Sequence, residues 1–267
     1  MQRLLFSANL GFLWADRPLP DAVYAAKAAG FDAVECHWPY DVDPDKIRSA
    51  LCDTGLEMLG LNTSRGDVAA GENGLSALPG READARAAID PAIGYAAEIG
   101  AAHIHVMAGI AEGAQAHETF CANLAYACQR AGPHQLTVVI EPLNRHDAPG
   151  YFLKTTEQAC ALINDIGAPN LKLMFDCYHV ERTEGNTVTR LTDLLPVIGH
   201  IQFAAVPDRG APDHGDLSYD DVFSAIATLG YTRPLGAEYK TGGDTDATLG
   251  WLQAVRAGGP VAASGQR

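Results

Sequence analysis

The stretch TVVIEPLN, residues 137–144, decides how the chain reads. Val138, Val139 and Ile140 form an unbroken β-branched run, the mark of a strand covered on both faces. The run ends on a carboxylate, Glu141, and then a proline. A buried, unpaired carboxylate is so costly that it neutralises or finds a partner. Glu141 therefore either caps a local feature or points at something positive.

Working outward, short β-rich runs alternate with longer helical patterns along the chain. Strands are expected at 3–9, 32–36, 57–62, 102–107, 136–141, 171–176, 199–204 and 235–239. Helices are expected at 19–29, 44–54, 81–99, 115–131, 155–166, 187–196, 219–229 and 245–256. Gly30, Gly55, Gly100, Gly167 and Gly230 stand where helices should close. Pro20 and Pro44 sit near helix starts, where a missing N–H does no harm. Strand–helix pairs repeating about every 30 residues are the arithmetic of an α/β fold, a single (β/α)₈ barrel. An open doubly wound sheet is the competing architecture, but no GxGxxG follows the first strand. The expected domain covers residues 1–256, and AGGPVAASGQR, residues 257–267, reads as a flexible C-terminal tail.

Nineteen basic residues against 33 acidic ones give a net charge of −14. That speaks against nucleic acid, which calls for a basic footprint, and against anionic membranes. No apolar run reaches the length of a membrane span. The six cysteines are scattered without a CxxC pair and read as reduced thiols of a cytoplasmic protein. Self-association is allowed by the sequence but not legible in it.

One connection stands out. TSRGDVAAGENGLSALPG, residues 63–80, is long and glycine-rich, and loops of this size in compact domains are usually lids or binding loops. Its Arg65-Gly66-Asp67 tripeptide is treated as a chance match.

In a barrel, chemistry gathers where strands meet the loops that follow them. Four consecutive strands end on or beside a polar group: Glu141, Asp176, Gln202 in HIQFA and Glu238 in GAEYK. A strand-terminal Asp alone is more often a helix cap, and Gln202 alone could be a satisfied core amide. Four in succession share one rim, where three carboxylates would repel and raise one another's pKa values. A divalent metal resolves the conflict, and an all-oxygen set suits Mg²⁺ or Mn²⁺. Glu141 and Glu238 would face each other as a proton-transfer pair. The reaction class is then aldose–ketose isomerisation or epimerisation through an enediolate. His179 is a candidate substrate contact, and Arg209 and Lys240 could receive an anionic group. His105 and Asn62 read equally as rim residues or as core and turn hydrogen-bonders.

At these residues the sequence resembles the hydroxypyruvate isomerase family of xylose-isomerase-like barrels. The resemblance rests on GFDAVECHWPYD, LGLNT, GDVAAGENGLSALPGRE, IEPLN, PGYFL, the Asp176–His179 segment, HIQFA, EYK and LGWL. It implies a metal held by Glu141, Glu238, Asp176 and Gln202, with the two Glu as the proton-transfer pair. It also implies a small anionic sugar-acid substrate: hydroxypyruvate, converted to 2-hydroxy-3-oxopropanoate, or in a close branch a 2-dehydrotetronate. The chain departs from the family after the seventh strand. Members usually read GRHEPGTGE or GRHEPDEGE there, whereas DRGAPDHGD keeps Arg209 but replaces the His-Glu pair with Gly210-Ala211. Three further readings compete. A sugar 3-epimerase usually carries His at the Gln202 position, an endonuclease-IV-like phosphodiesterase needs more His and a basic face, and a binding protein would keep the fold without turnover.

Overall fold

A computed structural model describes residues 3–261. Its strands are β1 (Phe6–Asn9), β2 (Ala33–Glu35), β3 (Glu57–Met58), β4 (Gly60–Asn62), β5 (His103–His105), β6 (Thr137–Ile140), β7 (Leu171–Asp176), β8 (Ile198–Phe203) and β9 (Leu235–Ala237). All pair in parallel in the order β3-β2-β1-β9-β8-β7-β6-β5-β4. The two ends of that order, β3 and β4, are one stretch of chain interrupted at Leu59. Leu59 donates to Val34 on one side, and its carbonyl accepts from His103 on the other. The nine strands thus make the expected eight-position barrel, nearly closed through a single strand.

The helices that wrap it are α1 (Leu19–Ala29), α2 (Pro44–Thr54), α3 (Glu82–Ile99), α4 (Gly113–Ala131), α5 (Thr156–Ile166), α6 (Cys177–Thr183), α7 (Thr187–Leu194), α8 (Tyr219–Leu229) and α9 (Gly250–Arg256). Asp43, Thr155 and Ser218 cap α2, α5 and α8 by accepting a first-turn N–H. The helix α6 is absent from the sequence expectation, because DCYHVERT begins on a strand-ending Asp and has no clear apolar period. The expected 245–256 helix is shorter than foreseen: a 3₁₀ turn at Asp246–Thr248 precedes α9.

The core lies between strands and helices, with the Phe6, Phe203, Phe223 and Trp251 rings edge-to-face at 5.2–6.0 Å. Of the segment read as a tail, Val261 is buried and donates its N–H to Asp220; residues 262–267 lie outside the described residues.

The 63–80 connection has more structure than its composition suggests. It holds a 3₁₀ turn at Val68–Ala70 capped by Asp67. Gly74 bridges Ala108, and Ser76 and Ala77 donate to Met107 and Ala108. Its second half is therefore anchored to the loop after β5.

Candidate active site

The four singled-out side chains meet at one rim. Glu141 directly follows β6, Asp176 ends β7, Gln202 is the penultimate residue of β8, and Glu238 directly follows β9. Register sets them side by side, Asp176 opposite Gln202 and Gln202 opposite Gly236. All are buried; Asp176 is 1% and Gln202 3% exposed.

Asp176 caps the helix that follows it and keeps its second oxygen unpaired. Its Oδ1 accepts from the Tyr178 N–H at 2.8 Å, capping α6, while Oδ2 is buried without a partner. Glu141 Oε1 and Gln202 Oε1 are likewise buried and unpartnered. A buried acceptor left unsatisfied costs about 1–3 kcal/mol, so three at one rim ask for a shared positive partner.

The electrostatics agree. Burial, then the charges of Glu238 and Asp176, push the Glu141 carboxyl well above its usual range. Burial and Glu238 push Asp176 up to about 7. At Glu238 burial pushes the other way, but Arg209 and the hydrogen-bonded His37 pull it down to about 2. One arginine serves two carboxylates: Arg209 pairs with Glu238 Oε2 and lies 3.9 Å from Asp176 Oδ2.

His179 and His105 stand at this rim, 3.8 and 3.7 Å from Glu141. These separations are too long for hydrogen bonds. Burial lowers both rings, to about 3 and about 4, and keeps them neutral. Glu141, Asp176 and His179 each bring one polar atom within 4.8 Å of the others. A chain of hydrogen bonds holds His179 from behind: Tyr178 donates to Asp147 at 2.7 Å, and the Asn144 amide donates to Asp147 and lies 2.8 Å from His179 Nδ1.

A cavity of about 180 Å³ opens over these groups, its wall including Glu141, Glu238, His179, Arg209, His105 and Asn62. Liquid water takes about 30 Å³ per molecule, so the cavity suits a ligand of a few heavy atoms. A larger cavity of about 560 Å³ near Arg3 and Leu4 is walled by Phe223, Ala227 and Val255 and lacks the orphaned acceptors.

Lys240 is not brought to the cavity. Its side chain is exposed, and only its backbone N–H approaches the site, donating to the Arg209 carbonyl at 2.7 Å. The altered pair Gly210-Ala211 is also absent from the cavity wall; Ala211 is buried as part of the hydrophobic core.

Several groups escaped the sequence reading. His37 bonds Glu238 Oε1 at 3.0 Å. Asn9 donates to Glu238 Oε1 and to Glu35 Oε1, both at 3.0 Å. His200 stands 2.7 Å from Glu35. Asn9 and Glu35 end β1 and β2, so the strand-terminal polar signal used for the other four strands would have found them.

With the geometry in hand, the chain compares closely with known proteins. Residues 23–256 match the model of a family described as xylose isomerase-like TIM barrel. The chain is 44% identical to 2-oxo-tetronate isomerase of Cupriavidus necator, over 93% of this chain and 97% of that one. It is 37% identical to hydroxypyruvate isomerase of Escherichia coli, over 95% and 100% respectively. Among solved structures, one described as an AP endonuclease, family 2, from Brucella melitensis aligns with a TM-score of 0.90 at 36% identity, covering 95% of this chain and 98% of the other.

Proposed function

The chain belongs to the xylose isomerase-like TIM barrel family and is an isomerase of small acids, and from that premise we propose a metal-dependent aldose–ketose isomerisation of a 2-oxo acid of three or four carbons. The observation that carries the metal is the trio of buried, unpartnered oxygens, Glu141 Oε1, Asp176 Oδ2 and Gln202 Oε1. Together with Glu238 they offer the all-oxygen donor set that hard cations such as Mg²⁺ and Mn²⁺ take. When bound, the cation supplies Lewis-acid polarisation of the substrate carbonyl and its neighbouring hydroxyl.

The protein's own groups do the rest. Burial raises the Glu141 carboxyl well above its usual range, whereas Arg209 and His37 hold Glu238 down to about 2; environments that push two carboxyls apart are the pattern of an acid–base pair. One takes the proton from the carbon beside the carbonyl, and the other returns a proton to the neighbouring carbon of the enediolate. Arg209 receives the substrate carboxylate; its Nε is buried without an acceptor, which an anionic ligand would satisfy. His179 donates to a substrate oxygen.

The relative named for 2-oxo-tetronate is the more similar of the two, which puts a four-carbon acid ahead of hydroxypyruvate. Hydroxypyruvate stays as the second reading, because the small cavity admits either. A nuclease reading, raised by the name of the Brucella structure, runs against the −14 charge. A binding protein without turnover is disfavoured by isomerase relatives that span nearly the whole chain. The free cysteines fit a reducing cytoplasm.

The test is isomerisation of both acids by protein stripped with a chelator and then resupplied with Mg²⁺ or Mn²⁺. Loss on stripping and recovery on resupply is expected. Full activity after exhaustive chelation would remove the metal from the mechanism.

A further inference from the structure

Beneath the rim lies a carboxylate that the mechanism does not use. Glu35, at the end of β2 and 3% exposed, collects four partners. Its Oε1 accepts from Gln202 Nε2 at 2.8 Å and Asn9 Nδ2 at 3.0 Å. Its Oε2 meets His200 Nε2 at 2.7 Å and the Ser7 hydroxyl at 3.4 Å. Room for this carboxylate exists because residue 236 is glycine: a Cβ there would sit 2.6 and 2.7 Å from the two Glu35 oxygens.

The partners fix two side-chain amides. Asn9 Oδ1 accepts the Gly11 N–H at 3.0 Å, so the Asn9 nitrogen must face Glu35. Two amide nitrogens therefore converge on Glu35 Oε1, which can only accept. Gln202 is held with its nitrogen on Glu35, and its oxygen is left at the other end, the buried Oε1 with no partner.

We infer that Glu35 is a positioning residue, which orients the Gln202 amide so that its carbonyl oxygen is the atom presented to the cation. Through Asn9 Nδ2, which bonds both Glu35 and Glu238, it also steadies the Glu238 carboxylate. The inference rests on the proposed role of Gln202 as a ligand. Such outer partners of metal ligands typically change metal affinity by about 10–100-fold when removed.

A glutamine has one liganding end and needs orienting; a glutamate has two and does not. A four-corner comparison exploits this difference: wild type, Glu35→Gln, Gln202→Glu and the double variant, each full-length, chelator-stripped and titrated with Mn²⁺ by calorimetry. Glu35→Gln alone should weaken Mn²⁺ binding about 10–100-fold. In the Gln202→Glu background the same change should tighten binding, because it removes a facing carboxylate. That reversal of sign is not what loss of a merely structural contact would give. If Glu35→Gln does not fold, the comparison of Gln202→Glu with the double variant, which keeps one amide and one carboxylate across the pair, decides alone. A double variant that binds no tighter overturns the role, as does an equal effect of Glu35→Gln in both backgrounds. Unchanged Mn²⁺ affinity in Gln202→Ala would instead overturn the ligand assignment, and the role of Glu35 with it.

Discussion

Nδ1 of His179 accepts the backbone N–H of Asn144 at 3.0 Å. An amide N–H can only donate, so the Nδ1 lone pair is committed and the ring's one proton sits on Nε2. That nitrogen lies 3.7 Å from Asp176 Oδ2 and 3.8 Å from Glu141 Oε1. His179 therefore presents a donor to the cavity rather than a lone pair, although its position beside two carboxylates resembles that of a ligand.

The expected consequence is a catalytic loss without a metal-binding loss. His179→Ala should lower kcat/KM by about 10²–10³-fold, as removal of a preorganised donor does, while Mn²⁺ affinity stays within a few-fold. His179→Gln, which keeps an N–H, should fall less. Loss of Mn²⁺ binding as deep as that of Asp176→Ala would make His179 a ligand instead.

Arg209 is held in the left-handed region at φ 61°, with its guanidinium 4.8 Å from the Phe12 ring centroid and 5.2 Å from that of Tyr178. A planar, stacked cation is not replaced by an ammonium. Arg209→Lys should raise KM for the 2-oxo acid by about 10–100-fold, the scale of a charge-assisted hydrogen bond, and leave kcat within a few-fold. An unchanged KM would mean that the substrate carboxylate binds elsewhere.

Asp176 links stability to pH. Its folded value, raised by burial and Glu238 from 3.8 to about 7, lies above the unfolded one. Its stabilising contribution is therefore present below about pH 4 and is lost as pH rises through 7. Asp176→Asn cannot ionise. In chelator, the variant should match wild type near pH 4 and exceed it by roughly a few kcal/mol at pH 8, read by denaturant unfolding. A gap independent of pH would refute the shift. Excess Mn²⁺ should reverse the order at pH 8, since an ionised aspartate binds the cation more tightly than a neutral amide oxygen.

How much of this was legible in the sequence follows from what each signal depends on. The barrel showed because its buried parallel strands are apolar runs such as Val138–Ile140, and local period reports burial directly. The rim carboxylates showed because a charge at the end of such a run is costly. Glu35 carries the same signal, but inside GFDAVECHW its relation to Gln202 depends on closure of the sheet across 167 positions, which no local pattern encodes. Lys240 failed for the opposite reason: it lies two residues past Glu238, and the chain turns its side chain outward. The helix α6 was hidden because Asp176 and His179 have polar tasks on what would be its apolar face.

A cation that binds only the folded chain should also appear as heat stability. At 100 times its dissociation constant it adds about 2.7 kcal/mol, or roughly 5–10 °C in Tm for a chain of this size. Differential scanning fluorimetry with Mn²⁺ should show that shift in wild type and lose it in Glu141→Ala. An equal shift in both proteins would place the cation at another site.

Proton transfer through Glu141 and Glu238 is read directly by isomerisation in D₂O followed by NMR. Wild type with Mg²⁺, given a 2-oxo-tetronate and hydroxypyruvate in turn, should place solvent deuterium on the carbon that receives the proton. Glu141→Gln and Glu238→Gln should each slow turnover by about 10²–10⁴-fold. Product formed at full rate by both Glu→Gln variants, with its hydrogen wholly retained, would contradict the claim, because the transfer would then need neither carboxylate.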